Sequence, residues 1–117
     1  MTNISFTLLL IAVSLVESGG NPNALNKKEN AYGLMQIRQC CVDDLNRHYG
    51  TNYALADFYN PKLARWAFVH YTSLYGAATF EDRCRCWNSG SKWKRKKHLT
   101  DGYWSKVQCE LAKLEGQ

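Results

Sequence analysis

The chain has 117 residues, enough for one domain with one core and too few for two comfortable ones. Hydrophobic residues make up 45% and charged residues 21%, ordinary globular proportions that argue against disorder. The net charge of +5 is concentrated in one place, because Lys92, Lys94, Arg95, Lys96 and Lys97 fall within six positions; such a run is either a solvated loop or a patch facing a polyanion.

The first predicted element is a helix from about Asn3 to Ser18. Its apolar run, residues 4–16, has no Lys or Arg before it and no small-x-small site after it, so it reads as a buried first helix and not as a signal peptide. It is also too short for a membrane span, which needs about 20 residues. Gly19-Gly20 stops the helix, and Asn21 to Asn30 reads as a polar loop with a turn at Asn21-Pro22-Asn23. Leu34, Ile37, Cys41 and Leu45 follow helical spacing, which predicts a second helix from Gly33 or Leu34 to just before Gly50. Thr51 to Tyr59 looks irregular.

Asn60-Pro61 is a strong helix start, with Asn as N-cap and Pro as the first helical residue. That helix carries Leu63, Ala64, Ala67, Phe68, Tyr71 and Leu74 and closes at Gly76. Thr79, with Asp82 three residues on, caps another helix that ends at Ser89-Gly90. The basic run reads as a loop, and Thr100 as the cap of a last helix through Tyr103, Trp104, Val107, Leu111 and Leu114. No segment alternates with a period of two. The expected fold class is all-α, or α-dominated, over residues 1–117 as a single domain.

The five cysteines are Cys40, Cys41, Cys84, Cys86 and Cys109, an odd number that excludes a fully paired framework. Cys-Cys and Cys-x-Cys are poor zinc spacings, and no His is placed by sequence beside a Cys. Cys40, Cys41, Cys84 and Cys86 lie in helical stretches and are expected to behave as small apolar side chains. No metal and no organic cofactor is implied.

Glu17 is the first charged residue of the chain, placed where the apolar run meets the Gly/Asn/Pro turn. A carboxyl half inside a core is pushed toward its neutral form. A carboxyl that keeps its proton near neutral pH can serve as a general acid. Four segments accompany it: Glu17-Ser18-Gly19-Gly20-Asn21-Pro22-Asn23-Ala24, Tyr32-Gly33-Leu34-Met35-Gln36-Ile37, Trp87-Asn88-Ser89-Gly90 and Gly102-Tyr103-Trp104. Each is weak alone. Met35 and Trp87 are more often core than ligand contacts, and Gln36 can simply hold a backbone group.

In this order the segments resemble the soluble lytic transglycosylase family, lysozyme-like enzymes that cleave bacterial peptidoglycan, from roughly Leu8 to Val107. The small single-domain forms of phages and bacteria are similar, and goose-type lysozymes share the Gly-Leu-Met-Gln segment. The resemblance implies a lysozyme-like fold with a substrate cleft and Glu17 as the acid/base. It implies substrate-binding roles for Ser18, Tyr32, Gly33, Met35, Gln36, Trp87, Asn88 and Tyr103. It further implies cleavage of the MurNAc-GlcNAc β-1,4 bond with closure of a 1,6-anhydro ring, and action at the bacterial cell wall, in the periplasm, outside the cell or from a virion. Trp87 stands where the family usually has Tyr, which keeps a stacking surface and removes a hydroxyl.

Glu29 is the candidate for a second carboxylate. At about 6.5–9.5 Å across the cleft it would permit an inverting, lysozyme-type hydrolysis. The structural alternative is that Glu29 orders its loop or pairs with Arg38. A reading of another class is a non-catalytic peptidoglycan-binding module. The expected partner is the glycan strand, met by a monomer, with no membrane insertion. One basic run with one Trp is not a nucleic-acid recognition motif, so no nucleic acid is expected. A basic rim beside the cleft would instead favour the anionic groups of the wall.

Overall fold

The computed structural model describes residues 5–116. Among them are five α-helices: α1 Phe6–Ser18, α2 Gln39–Tyr49, α3 Pro61–Leu74, α4 Phe80–Ser89 and α5 Asp101–Glu115. Two 3-10 segments, Leu55–Tyr59 and Trp93–Thr100, lie between them. A single antiparallel pair, β1 Leu25–Asn26 with β2 Ala31–Tyr32, completes the set. The fold is all-α in class, with one small sheet.

Helix α1 begins where Ser5 accepts a hydrogen bond from Leu8 N at 3.2 Å, a side-chain N-cap. The expected start at Asn3 lies outside the described residues. Gly19 ends the helix at φ +67°, and the N–H groups of Gly19 and Gly20 return to the carbonyls of Leu15 and Ser14. Leu9, Ala12 and Val13 are fully buried, so the apolar run is a core helix; it packs along α5 and touches α4. No helix among the described residues is long and apolar enough to cross a membrane.

The expected second helix starts five or six residues too early, and its first part is a hairpin. Leu25 pairs with Tyr32 and Asn26 with Ala31. Tyr32 and Ile37 then exchange two backbone hydrogen bonds of 2.9 Å across a tight turn. Gly33 and Gln36 both have positive φ (+81° and +54°), which a right-handed helix cannot hold. Leu34 and Ile37 are buried all the same. Their spacing reflects a turn pressed onto the core, and only from Gln39 onward is it helical.

Asn60 caps α3 by accepting from Lys62 N and Leu63 N, with Pro61 at the first position. Thr79 caps α4 by accepting from Asp82 N. Thr100, expected as a cap of α5, makes no cap hydrogen bond; its hydroxyl donates to Lys97 O and accepts from Arg85. The segment expected to be irregular is partly so: Asn46 holds Thr51 and Tyr53, and Leu55–Tyr59 forms a 3-10 turn that buries Phe58. The basic loop is likewise a 3-10 segment, with Trp93 buried.

One continuous core joins the helices through Leu9, Met35, Val42, Leu45, Phe58, Phe68 and Val107. Cys41, Cys84 and Cys86 belong to it, and burial pushes the thiols of Cys84 and Cys86 up to about 12 and that of Cys41 higher still. These three stay protonated at neutral pH and pack as apolar groups. All five cysteines are free.

Candidate active site

The last turn of α1 ends against the inside of the hairpin turn, and the sequence forces that contact. Ser18 Oγ donates to Leu34 O at 2.7 Å and also reaches Ser14 O at 3.1 Å, so one hydroxyl clamps the helix end to the turn. Gly33 sits so close to the 3-10 segment that a Cβ there would lie 2.5 Å from Phe58 O. No other residue fits that approach at φ +81°. Gln36 Nε2 donates to Gly33 O at 3.0 Å and stabilises the turn from its open side.

These constraints fix Glu17 at the floor of an open cleft of about 200 Å³. One wall is Gln36, Ile37, Arg38, Cys40 and Cys41; the other is Tyr71, Trp87, Asn88, Ser89 and Gly90. Trp87 is held by its indole N–H, which donates to Met35 O at 3.1 Å, and by edge contacts with Phe68 and Tyr71. Asn88 is exposed on the same wall.

Glu17 is half-buried, and its Oε2 accepts a 2.7 Å hydrogen bond from Tyr103 Oη on α5. Burial raises its pKa from 4.5 to about 7, against the opposing effects of the Tyr103 hydroxyl and the Arg38 charge, with a smaller push upward from Glu29. The last turn of a helix is also the negative end of its dipole, which opposes a second negative charge. Burial beside Glu17 holds the Tyr103 phenol far above its usual range, so this hydroxyl is a permanent donor. The Trp at position 87 cannot supply a hydroxyl to the acid; Tyr103, from a different helix, does.

The residues singled out in the sequence therefore divide. Glu17, Gln36, Trp87 and Asn88 line the cleft, and Tyr103 hydrogen-bonds to Glu17 from α5. Ser18 and Gly33 build the turn, and the Met35 side chain is fully buried, so only its carbonyl takes part, as the anchor of Trp87. Gly33 and Met35 are not among the residues that line the cleft. Tyr32 packs against Tyr59 in a tilted pair, ring centroids 5.1 Å apart, and serves the hairpin. Glu29 is about half exposed, accepts from Asn26 Nδ2 and pairs with Arg38 at 2.9 Å; it is not among the cleft-lining residues.

Sequence reasoning missed Arg38, Cys40, Tyr71 and the Ser89-Gly90 backbone as cleft wall. Tyr71 had the spacing of a core residue and is indeed buried, with its hydroxyl close to Gly90. Arg38 follows directly after the Gly-Leu-Met-Gln-Ile turn, and that position was the available signal.

A family model for the transglycosylase SLT domain matches residues 3–75, more than half of the chain. The match spans α1, the hairpin, α2 and α3, and so contains Glu17 and the turn that carries Gln36, whereas Trp87, Asn88 and Tyr103 lie beyond it. No curated protein and no solved structure gave a match. The helical fold, the cleft and the matched segment agree, and the chain belongs to the transglycosylase SLT domain family, whose activity is lytic-transglycosylase-type cleavage of cell-wall peptidoglycan.

Proposed function

We propose that the protein is a lytic transglycosylase that cuts the β-1,4 bond between MurNAc and GlcNAc with Glu17 as its one catalytic carboxyl. It does so as a monomeric, single-domain unit at the bacterial cell wall. The observation that carries this reading is the state of Glu17: half-buried at the cleft floor, held by Tyr103, with a pKa near 7. Such a group is an effective acid in one step and an effective base in the next.

In the first step Glu17 gives its proton to the glycosidic oxygen. The C1–O bond breaks, and its electron pair leaves with O4 of GlcNAc. Positive charge then develops at C1 of MurNAc, next to the carboxylate that has just formed. In the second step that carboxylate removes the proton of the MurNAc 6-hydroxyl, whose oxygen bonds to C1. The products are a 1,6-anhydro-MurNAc end and a free GlcNAc 4-hydroxyl. Glu17 is again protonated, and no water is consumed. Tyr103 keeps the carboxyl in one rotamer in both states. Gln36, Trp87 and Asn88 supply an amide, a stacking edge and a second amide to the sugars along the walls.

The inverting alternative needs Glu29 free to activate a water across the cleft. Its ion pair with Arg38 and its half-exposed position speak against that role. Mass spectrometry of purified peptidoglycan after digestion separates the two chemistries. The proposal expects anhydro-muropeptides, each lighter by one water; reducing MurNAc ends would replace it with the hydrolase.

A further inference from the structure

The basic run is a built surface. Trp93, at its start, is buried and donates its indole N–H to Tyr75 O at 2.9 Å, while its backbone N–H donates to Gly90 O at 3.1 Å. At its far end the nearly buried Arg85 guanidinium donates to Lys97 O, Thr100 Oγ1 and Asp101 Oδ1 at 2.7–2.9 Å, and its Nε pairs with Glu81. The 3-10 segment is thus pinned at both ends, and its cations stand on a fixed ridge. Lys97 is spent on Asp82 at 3.7 Å, and Lys94 lies over the Trp93 ring. Lys92, Arg95 and Lys96 are exposed and have no acidic partner among the described residues.

The ridge begins two residues beyond the cleft wall Asn88-Ser89-Gly90 and is hydrogen-bonded to it. A glycan strand that leaves the cleft past this wall would meet the ridge. Strands of peptidoglycan carry peptides that end in carboxylates. Trp93, the one aromatic that could enter a lipid interface, is turned into the core, which leaves Leu99 as the only large apolar side chain exposed on the segment. An occupant already tethered to the cleft, anionic and polar, fits this surface better than a bilayer.

We infer that Lys92, Arg95 and Lys96 form a docking ridge for the carboxylates of the stem peptides on the glycan strand held in the cleft. The inference rests on the cleft being a glycan site. The ridge selects strands that still carry their peptides over stripped ones, and added salt erodes the selection because the cations are exposed.

The test uses the full chain carrying Glu17→Gln, so that strands survive, and measures its binding to soluble glycan with stems and to the same glycan stripped by an amidase. The parent is expected to bind the stem-bearing strands roughly tenfold more tightly, in line with a few exposed charge pairs acting together. Adding Lys92→Gln, Arg95→Gln and Lys96→Gln abolishes that preference; replacing the remote exposed cations Lys62 and Lys106 leaves it. Equal binding of both glycans by the parent, or a preference that survives the triple change, overturns the ridge alone. Failure to bind either glycan overturns the cleft reading together with it. Binding to phosphatidylglycerol vesicles that exceeds binding to stem-bearing glycan and is lost in the triple variant assigns the ridge to a lipid surface instead.

Discussion

Glu17 and Glu29 lie twelve residues apart, both near Arg38, and the fold treats them in opposite ways. Glu17 ends a buried helix, faces the negative end of that helix, and receives a hydrogen bond from a phenol that never ionises at working pH. Glu29 sits on the exposed hairpin beyond, where it accepts from Asn26 and pairs with the Arg38 guanidinium. The difference shows that a carboxylate becomes an acid by being placed where its charge is unwelcome. That placement has a stability consequence. The folded-state pKa of Glu17 lies above its ordinary value, so the folded protein holds the proton more tightly than the unfolded chain does. The strain is absent below about pH 4.5 and grows as the pH rises through about 7, where the buried carboxyl must ionise.

The sharpest way to break the comparison is to neutralise each carboxyl in turn. Glu17→Gln is expected to lower turnover of peptidoglycan by about a thousandfold or more, since in the proposed mechanism this one carboxyl is both the acid and the base. Glu29→Gln should change it by less than about threefold, reflecting only a lost exposed ion pair. A comparable loss in both variants, read from the release of soluble muropeptides, contradicts a one-carboxylate site.

The next effect falls on stability. Gly33 lets the hairpin press against Phe58 O, so Gly33→Ala forces either the backbone contact or the φ to give way. A destabilisation of about 3 kcal/mol or more in denaturant unfolding is expected. The same change at Gly50, where a Cβ meets nothing, should show only the smaller penalty of its positive φ.

A smaller effect is expected at Tyr103. Its hydrogen bond opposes the upward shift of the Glu17 pKa, so Tyr103→Phe should move the alkaline limb of the activity profile to higher pH. The rate at the optimum should fall by about tenfold, because the carboxyl is less firmly aimed. A lower rate with an unmoved limb would make Tyr103 a packing residue only.

Much of this organisation was legible in the sequence. The apolar run ending in Glu17, the Asn60-Pro61 and Thr79 caps and the closing glycines are local signals, and local signals place helices well. The hairpin at Leu25 to Ile37 was not legible, because its strands are two residues long and cannot show alternation. Leu34 and Ile37 also face the core at helical spacing for tertiary reasons. Within the site, Glu17, Gln36, Trp87 and Asn88 could be named because they sit in recognisable segments. The hydrogen bond from Tyr103 spans 86 residues and arises only when α5 packs along α1, and no local pattern encodes that pairing. The sequence does not distinguish a side chain that lines a site from a backbone that shapes it, so it could not show that Gly33 and Met35 lie outside the cleft lining.

The central claim is that Glu17 keeps its proton close to neutral pH in the folded protein. Carbon NMR of the glutamate side-chain carboxyls, with the Glu17 signal assigned by its absence in Glu17→Gln, measures this directly across a pH titration. The account predicts a midpoint near 7 for Glu17. A midpoint close to the ordinary glutamate value of about 4.5 would contradict it.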